Sequence, residues 1–428
     1  MHMKRANVAS LVVVLLFLAV VQLSSFSSAN YFPYPGPDLP HIYIKSDGTI
    51  EPVTAPIEKT GNIYKLTDDI SLHTVEIQRD NIVLNGAGYT IQGNASWMGY
   101  DAGNNGIIIS GRKNVNVTCL TFEGCYAGIR VISSSGVGIA GNSFSSSNSK
   151  GVVLQDSTLC IVENNTLTNL HTDLNAPAIM INGTSNIVRN NTLTGSTYGI
   201  KIMGSSNKIL ANKFESILPI QLDRAQSNVV AENTISGLAN QKGNEGIALF
   251  ADCSNNLIFN NRVTGFINNG IRFVFNAENN MVYNNYFRDN GFAVVIQERA
   301  VNNRFYGNTF AVDSCNVSIS EIQSTFWDNG TIGNYWGKYA GADSNGDGIG
   351  DSPYKLYGYM WGKKEGGFIE APAGQDNYPL MAPYDNENGA VALPQSSPLL
   401  VIFAVFSVAV VTCASLLVYL RKRKHAAV

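Results

Sequence analysis

Charge is what this sequence has least of. Asp, Glu, Lys and Arg make up 14% of the 428 residues, against about 25% in an ordinary soluble domain, so disorder driven by net charge is excluded. A basic surface is missing too. Lys4 and Arg5 at the start and Arg421, Lys422, Arg423 and Lys424 at the end supply 6 of the 29 basic residues. The body between them carries 23 basic against 32 acidic residues, a net charge of −9. Such a body repels a phosphate backbone, and no nucleic-acid partner is expected. The 40 glycines follow no Gly-X-Y period, which excludes collagen. Phosphate-loop, zinc-ligand and nucleophile-elbow patterns are absent from the sequence. Cysteine is scarce as well. Cys413 falls in an apolar run, leaving Cys119, Cys125, Cys160, Cys253 and Cys315, an odd number that does not make a disulfide framework. Cys119 and Cys125 could bridge, but small apolar core thiols are the expectation.

Both ends read as membrane addresses. Met1–Arg5 is basic, Leu11–Leu23 is apolar and Ser27-Ser28-Ala29 offers small residues for cleavage, so residues 1–29 are expected to be a signal peptide. Pro398–Leu420 is 23 uncharged residues, about 34 Å as a helix, enough to span a bilayer core. The four basic residues after it place the tail 421–428 in the cytoplasm. The body is then expected at the cell surface, anchored by a single span.

That body is a repeat. Asn followed two residues later by a large apolar residue recurs at Asn142, Asn165, Asn191, Asn212, Asn233, Asn261, Asn285, Asn308 and Asn334, in steps of 23, 26, 21, 21, 28, 24, 23 and 26 residues. Halfway between lies a second motif, a small residue and an alternating apolar strand, as in Gly128-Ile-Arg-Val131, Gly199-Ile-Lys-Ile202 and Gly270-Ile-Arg-Phe273. Period-two alternation with β-branched residues signals strand. A period this short without a helical stretch or a leucine-rich signature fits one coil of a parallel β-helix, each coil adding about 4.8 Å. The Asn column is expected inside, where Asn tolerates left-handed corners and stacked amides bond from coil to coil. Caps are expected at 30–64 and 333–385, because end coils would expose a core and free strand edges. The helix proper is expected over 65–332 and a linker over 386–397. Seven Asn-X-Ser/Thr triplets begin at Asn94, Asn116, Asn164, Asn182, Asn190, Asn316 and Asn329. Asn-Asn-Thr is also the repeat's own grammar, so the triplets single out no one glycosylated site.

The repeat, together with the segment from Gly333-Asn-Tyr-Trp336 through Asp343-Ser-Asn-Gly-Asp-Gly-Ile-Gly-Asp351 to Tyr354, and the later Asp376-Asn-Tyr-Pro-Leu-Met381, resembles NosD-type right-handed parallel β-helix proteins. The membrane-anchored archaeal surface members are the most similar. The resemblance covers about Ile63 to Tyr384. It implies an all-β solenoid of the pectin-lyase-like class of carbohydrate-binding proteins and sugar hydrolases. It also implies copper, because the namesake periplasmic protein serves a copper enzyme. The residues argue against copper: His41, His73 and His171 lie in different coils, and Met180 and Met203 are ordinary gap fillers in such a core.

The most specific chemical signal is the loop at Asp343. Asp343, Asn345 and Asp347 alternate, Gly348 stands at the sixth position, Ile349 offers a carbonyl and Asp351 stands at the ninth, the oxygen spacing that suits Ca²⁺. Tyr354 occupies the twelfth place, where an EF-hand has Glu, so Asp376 or Asp385 is expected to complete the shell of a structural calcium site. On the second strands, Arg130, Gln155, Asn182, Lys201, Asp223, Arg272 and Gln297 align as one outward row, with Asp156, Arg224 and Glu298 at the corner beyond it. Gln155, Asn182, Lys201, Arg272 and Gln297 are candidates for binding sugar hydroxyls or uronates. Asp223 and Asp252 form the one acidic pair that can be constructed, about 8 Å apart and within the window of an inverting hydrolase. Tyr357, Tyr359 and Trp361 project on one side of an extended chain, either to stack on sugars or to close the end of the helix. The favoured function is a surface β-helix that binds polysaccharide or builds the envelope. A polysaccharide hydrolase, lyase or epimerase is the alternative and copper handling the third.

Overall fold

The structure, a computed structural model, describes residues 39–94, 105–145, 150–170, 176–238, 245–297, 299–311, 317–319, 324–362 and 367–383, the side chains of 359–371 and 373 excepted. The expected leader at 1–29, linker at 386–397, span at 398–420 and tail at 421–428 lie outside these residues. Among the described residues no helix is long and apolar enough to cross a membrane.

The described chain is a parallel β-helix built of three sheets of 15, 13 and 12 strands. One coil shows how the sequence makes it. Ile179–Thr184 lies in sheet 1, Ile187–Arg189 in sheet 2 and Thr192–Thr194 in sheet 3. Two corners separate these strands, and each begins with a residue in the left-handed region, Ser185 (φ 58°) and Asn190 (φ 55°). That conformation is costly for most side chains and cheapest for Gly and Asn, which explains why Asn recurs at the corners, although Leu159 and Ala211 also adopt it. Each corner residue is followed by a buried asparagine, Asn186 and Asn191.

Two asparagine columns therefore run up the helix. The anticipated one, from Asn142 to Asn334, is fully internal. Asn261 shows its wiring. Its Oδ1 accepts the N–H of Asn233 (3.0 Å) and the Nδ2 of Asn233 (2.9 Å) from the coil before. Its Nδ2 donates to Val230 O (2.9 Å) in that same coil and to Asn285 Oδ1 (3.0 Å) in the coil after. One amide thus ties three coils and satisfies backbone groups that a sheet ladder leaves unpaired. A second column, Asn186, Asn207, Asn228, Asn256, Asn280 and Asn303, repeats the pattern at the other corner.

The inward residues of sheet 1, such as Ile129, Val131, Ile200 and Ile202, are buried as the alternation requires, each contributing roughly 1.5 to 3 kcal/mol. Sheet 3 carries the aromatic part of the core, with Phe122 stacked on Phe144 (4.9 Å) and Phe310 on Trp336 (4.4 Å). The small residue that opens each sheet 1 strand lies against this part of the core. A Cβ on Gly270 would come within 2.9 Å of the Phe287 ring.

Parallel pairing reaches further forward than residue 65: His41–Ile44 already pairs with Thr74–Ile77. The hairpin of Ile57–Thr60 with Ile63–Leu66 completes the front. At the back, Trp336 stacks with Tyr354 and meets Trp327 edge-on. A hairpin of Tyr354–Gly362 with Gly367–Asp376 continues sheet 1 through the pairing of Val317 with Gly358. Of the four cysteines described, Cys125, Cys160 and Cys253 are buried, where desolvation raises their thiol pKa values, to about 12 for Cys125 and about 11 for Cys253. Cys119 departs from expectation: it stands exposed at a left-handed corner.

Candidate functional site

Register decides which of the candidate residues meet. Along sheet 1, Arg130, Val153, Met180, Lys201, Gln221, Ala248 and Arg272 pair in succession and form one outward column. Gln155 pairs with Asn182 and Asn182 with Met203, while Asp223 pairs with Phe250. These residues, with Gln297 following Ile296, form a second column two residues further along the strand. The single row expected from the sequence is thus two rows. The strand period of two makes both positions outward, so a polar residue at either position reads alike in the sequence.

The two columns communicate on a diagonal. Arg130 Nη2 donates to Gln155 Oε1 (3.1 Å), one coil on. Lys201 Nζ reaches Asp223 Oδ2 (3.2 Å) by the same offset, and Arg224 Nη2 lies 3.3 Å from the same carboxylate. Arg272 Nη1 binds Glu245 Oε1 at 2.5 Å, and Asn269 Nδ2 donates to the same oxygen at 3.1 Å. Lys201 and Arg272, expected to be free for acidic sugars, each hold a carboxylate from this face instead. Asn182 stands exposed.

The two acids Asp223 and Asp252 stand in different settings. Asp223 is 8% exposed in its side chain and clasped by two cations. Asp252 is exposed, in a left-handed corner at φ 48°, and accepts the Nδ2 of Asn276 (2.9 Å). Asp223 pairs with Phe250, so Asp252 lies one coil on and two residues past the strand, where the corner turns its side chain toward Asn276.

Three buried polar atoms in or beside these columns lack a hydrogen-bond partner among the described residues, Asn105 Oδ1, Arg130 Nε and Arg272 Nε; Asp223 Oδ1 makes no hydrogen bond of good geometry but lies 3.3 Å from Arg224 Nη2. Sequence reading missed Glu245, which opens the strand Glu245–Phe250. Its position opposite Asn269, three residues before the outward column, is visible once register is known.

The Asp343 loop forms a compact turn. Asp343 Oδ1 accepts the N–H of Gly346 (2.8 Å), its Oδ2 that of Gly348 (2.9 Å), and Asp347 Oδ1 that of Ile349 (2.9 Å). Asp351 Oδ2 accepts the N–H (3.0 Å) and hydroxyl (2.6 Å) of Ser344. Gly346 and Gly348 supply the left-handed turns, at φ 72° and 84°. The three carboxylates are thus engaged by N–H and O–H donors of the loop itself and do not converge on one point. Asp376 does not complete the shell as expected: it is buried against Asn334 and Trp336. Asp385 lies outside the described residues. Tyr357 is 52% exposed, and the side chains of Tyr359 and Trp361 lie outside the described part.

Comparison with known proteins gives two family matches, "Periplasmic copper-binding protein (NosD)" over residues 46–220 and "Right handed beta helix region" over 177–331. A curated relative, the probable ABC transporter binding protein NosD of Stutzerimonas stutzeri, is 26% identical over 132 residues, 26% of this chain and 30% of the relative. The match therefore spans less than a third of that relative's length. Among solved structures, the periplasmic alginate epimerase AlgG is similar at 16% identity and TM-score 0.41, covering 66% of this chain and 82% of the epimerase. PfbA, a surface adhesin of Streptococcus pneumoniae, is similar at 14% identity and TM-score 0.41, covering 61% and 84%. A copper donor set is not gathered in the described residues. His41 Nδ1 lies 3.0 Å from Glu76 and His73 Nδ1 2.8 Å from Ser71 O, and His171 lies outside the described part. Among the described residues no three His, Cys, Asp or Glu side chains converge on one point.

Proposed function

Because the chain is a right-handed β-helix protein with a NosD-type region over residues 46–220, we propose that it binds polysaccharide at the cell surface through the outer face of sheet 1. The supporting observation is the pair of buried guanidinium nitrogens left without a partner at the two ends of one outward column, Arg130 Nε and Arg272 Nε. Buried polar groups in folded proteins are nearly all hydrogen-bonded, and exceptions mark places where water or a ligand completes the set. Half-buried Met180, Met203 and Phe250 lie between these groups, giving the mixture of apolar surface and few fixed polar groups that sugar rings require. Function is argued from this site and not from the fold, which many activities share.

In this reading the Asp343 loop binds Ca²⁺ as a structural ion in the back cap, through Asp343, Asn345, Asp347, the Ile349 carbonyl and Asp351. The segment 398–420 anchors the chain in the membrane. The test is a panel of polysaccharides offered to the full chain, with reducing ends assayed in parallel. Binding without new reducing ends supports the proposal. New reducing ends would make the protein an enzyme, and absence of binding to any polymer would overturn the reading.

A further inference from the structure

Resting on the reading of sheet 1 as a glycan surface, we infer the class of its ligand: an uncharged polysaccharide chain lying along the helix axis and contacting at least six coils.

The charge argument comes first. Between Arg130 and Arg272 the cations Lys201, Arg224 and Arg272 are held by carboxylates of the face itself, while Arg130 bonds the Gln155 amide and Lys150 the Tyr126 hydroxyl. Lys201 and Arg224 are both drawn onto Asp223, and Arg272 onto Glu245. Asp223 and Glu245 are 8% and 13% exposed in their side chains. A uronate would have to displace a carboxylate that is already buried against its cation, leaving that carboxylate desolvated and unpaired. A hydroxyl needs no such exchange. It can accept from a guanidinium N–H and donate to a carboxylate oxygen while both ion pairs stay in place.

Direction and length follow from register. Arg130 and Arg272 occupy the same column six pairings apart, about 29 Å along the axis at 4.8 Å per coil. Across the strand the face is two outward residues wide, about 7 Å. A chain lying across the strands meets one polar group, whereas a chain along the axis meets the Arg130, Asp223 and Arg272 groups in turn. Spanning them takes roughly six sugars, each about as long as a coil is deep.

The test uses the full chain and paired neutral and uronate polymers, followed by oligomers of two to ten residues cut from the neutral polymer that binds best. Neutral polymers are expected to bind at least tenfold more tightly than uronates. Affinity should climb with length and level off near six residues. Arg130→Gln and Arg272→Gln should each weaken the longest oligomers about fivefold and shorten the length at which affinity levels off. If either variant misfolds, Gln155→Ala and Gln297→Ala test the same ends with smaller, less buried changes. A preference for uronates, or an affinity independent of length, overturns this inference and leaves glycan binding standing. Failure of every polymer to bind overturns the reading beneath it.

Discussion

Asn334 and Asp376 make the last rung of an asparagine ladder in which the final amide is replaced by a carboxylate. The Asn334 N–H donates to Asp376 Oδ2 at 2.6 Å, as the Asn308 N–H donates to Asn334 Oδ1 at 3.1 Å one coil earlier. The back cap thus joins the solenoid by imitating its next coil. Trp336 Nε1 donates to the same oxygen (2.8 Å), and the Tyr378 N–H to Oδ1 (3.0 Å).

Burial dominates this carboxyl and pushes its pKa up from 3.8 to about 6, against the pull of those N–H donors. Between 3.8 and 6 the folded chain keeps a proton that the unfolded chain has released, so stability falls as pH rises through that window and is level above it. The loss is at most about 3 kcal/mol. Asp376→Asn keeps the acceptor for Asn334 without the buried charge. Thermal melts at pH 4 to 7.5 should show the wild type losing ground to this variant as pH rises, with the gap closed by about pH 4. A gap that widens toward acid would contradict the assignment.

Asn261→Leu should be among the most costly single changes in the helix. It strands the N–H of Asn233 and half the bonding of Asn285 Oδ1, and buried groups left unpaired cost about 1 to 3 kcal/mol each. Denaturant unfolding gives the number directly, and an unchanged midpoint would mean the column is not structural.

Much of this architecture is legible in the sequence because the same physical demand recurs once per coil. Asn142 to Asn334 stand out since each precedes a strand with a large inward residue. The second column was as regular and went unread. Asn186, Asn207, Asn228, Asn256, Asn280 and Asn303 each stand five residues before a member of the first, but Cys160 and Val137 hold the equivalent places in earlier coils, which hides the column's start. The sheet 1 face was harder for a different reason. Lys201 and Asp223 belong to different columns, and only the pairing register reveals that their offset brings them into contact. Glu245 gave no signal at all, because its importance lies in Arg272, 27 residues away.

Calcium should act on the cap and not on the sugar face. The Asp343 loop is hydrogen-bonded to the chain that follows Asp376, through Gly350 N–H to Pro379 O (2.8 Å) and Met381 N–H to Gly348 O (3.0 Å), so a cation fixing the loop also fixes that segment. Chelation is expected to lower the melting temperature of the full chain, and Asp347→Ala to abolish the difference. Identical melts with and without chelator would show that the loop works as a hydrogen-bonded turn alone.

Removing the acids should change the ligand class of the face. Asp223→Asn frees Lys201 and Arg224 from their shared partner, and Glu245→Gln frees Arg272. Together they remove two negative charges from the face. Breaking the buried Asp223 cluster costs stability, about 3 kcal/mol if the cations stay in place, so the melts of both variants are read alongside binding. A uronate polymer ignored by the wild type should then bind the double variant, and the gain should shrink as salt is raised from 50 mM toward 1 M, because the new attraction is between partly exposed charges. Binding of the neutral polymer should change little, since Asn and Gln still offer sugar hydroxyls an acceptor. The rival reading predicts something else in the same tubes: if Asp223 is a catalytic acid or base, the wild type releases new reducing ends and Asp223→Asn does not. That outcome would make the paired carboxylates a reaction centre and the proposed binding face its substrate cleft.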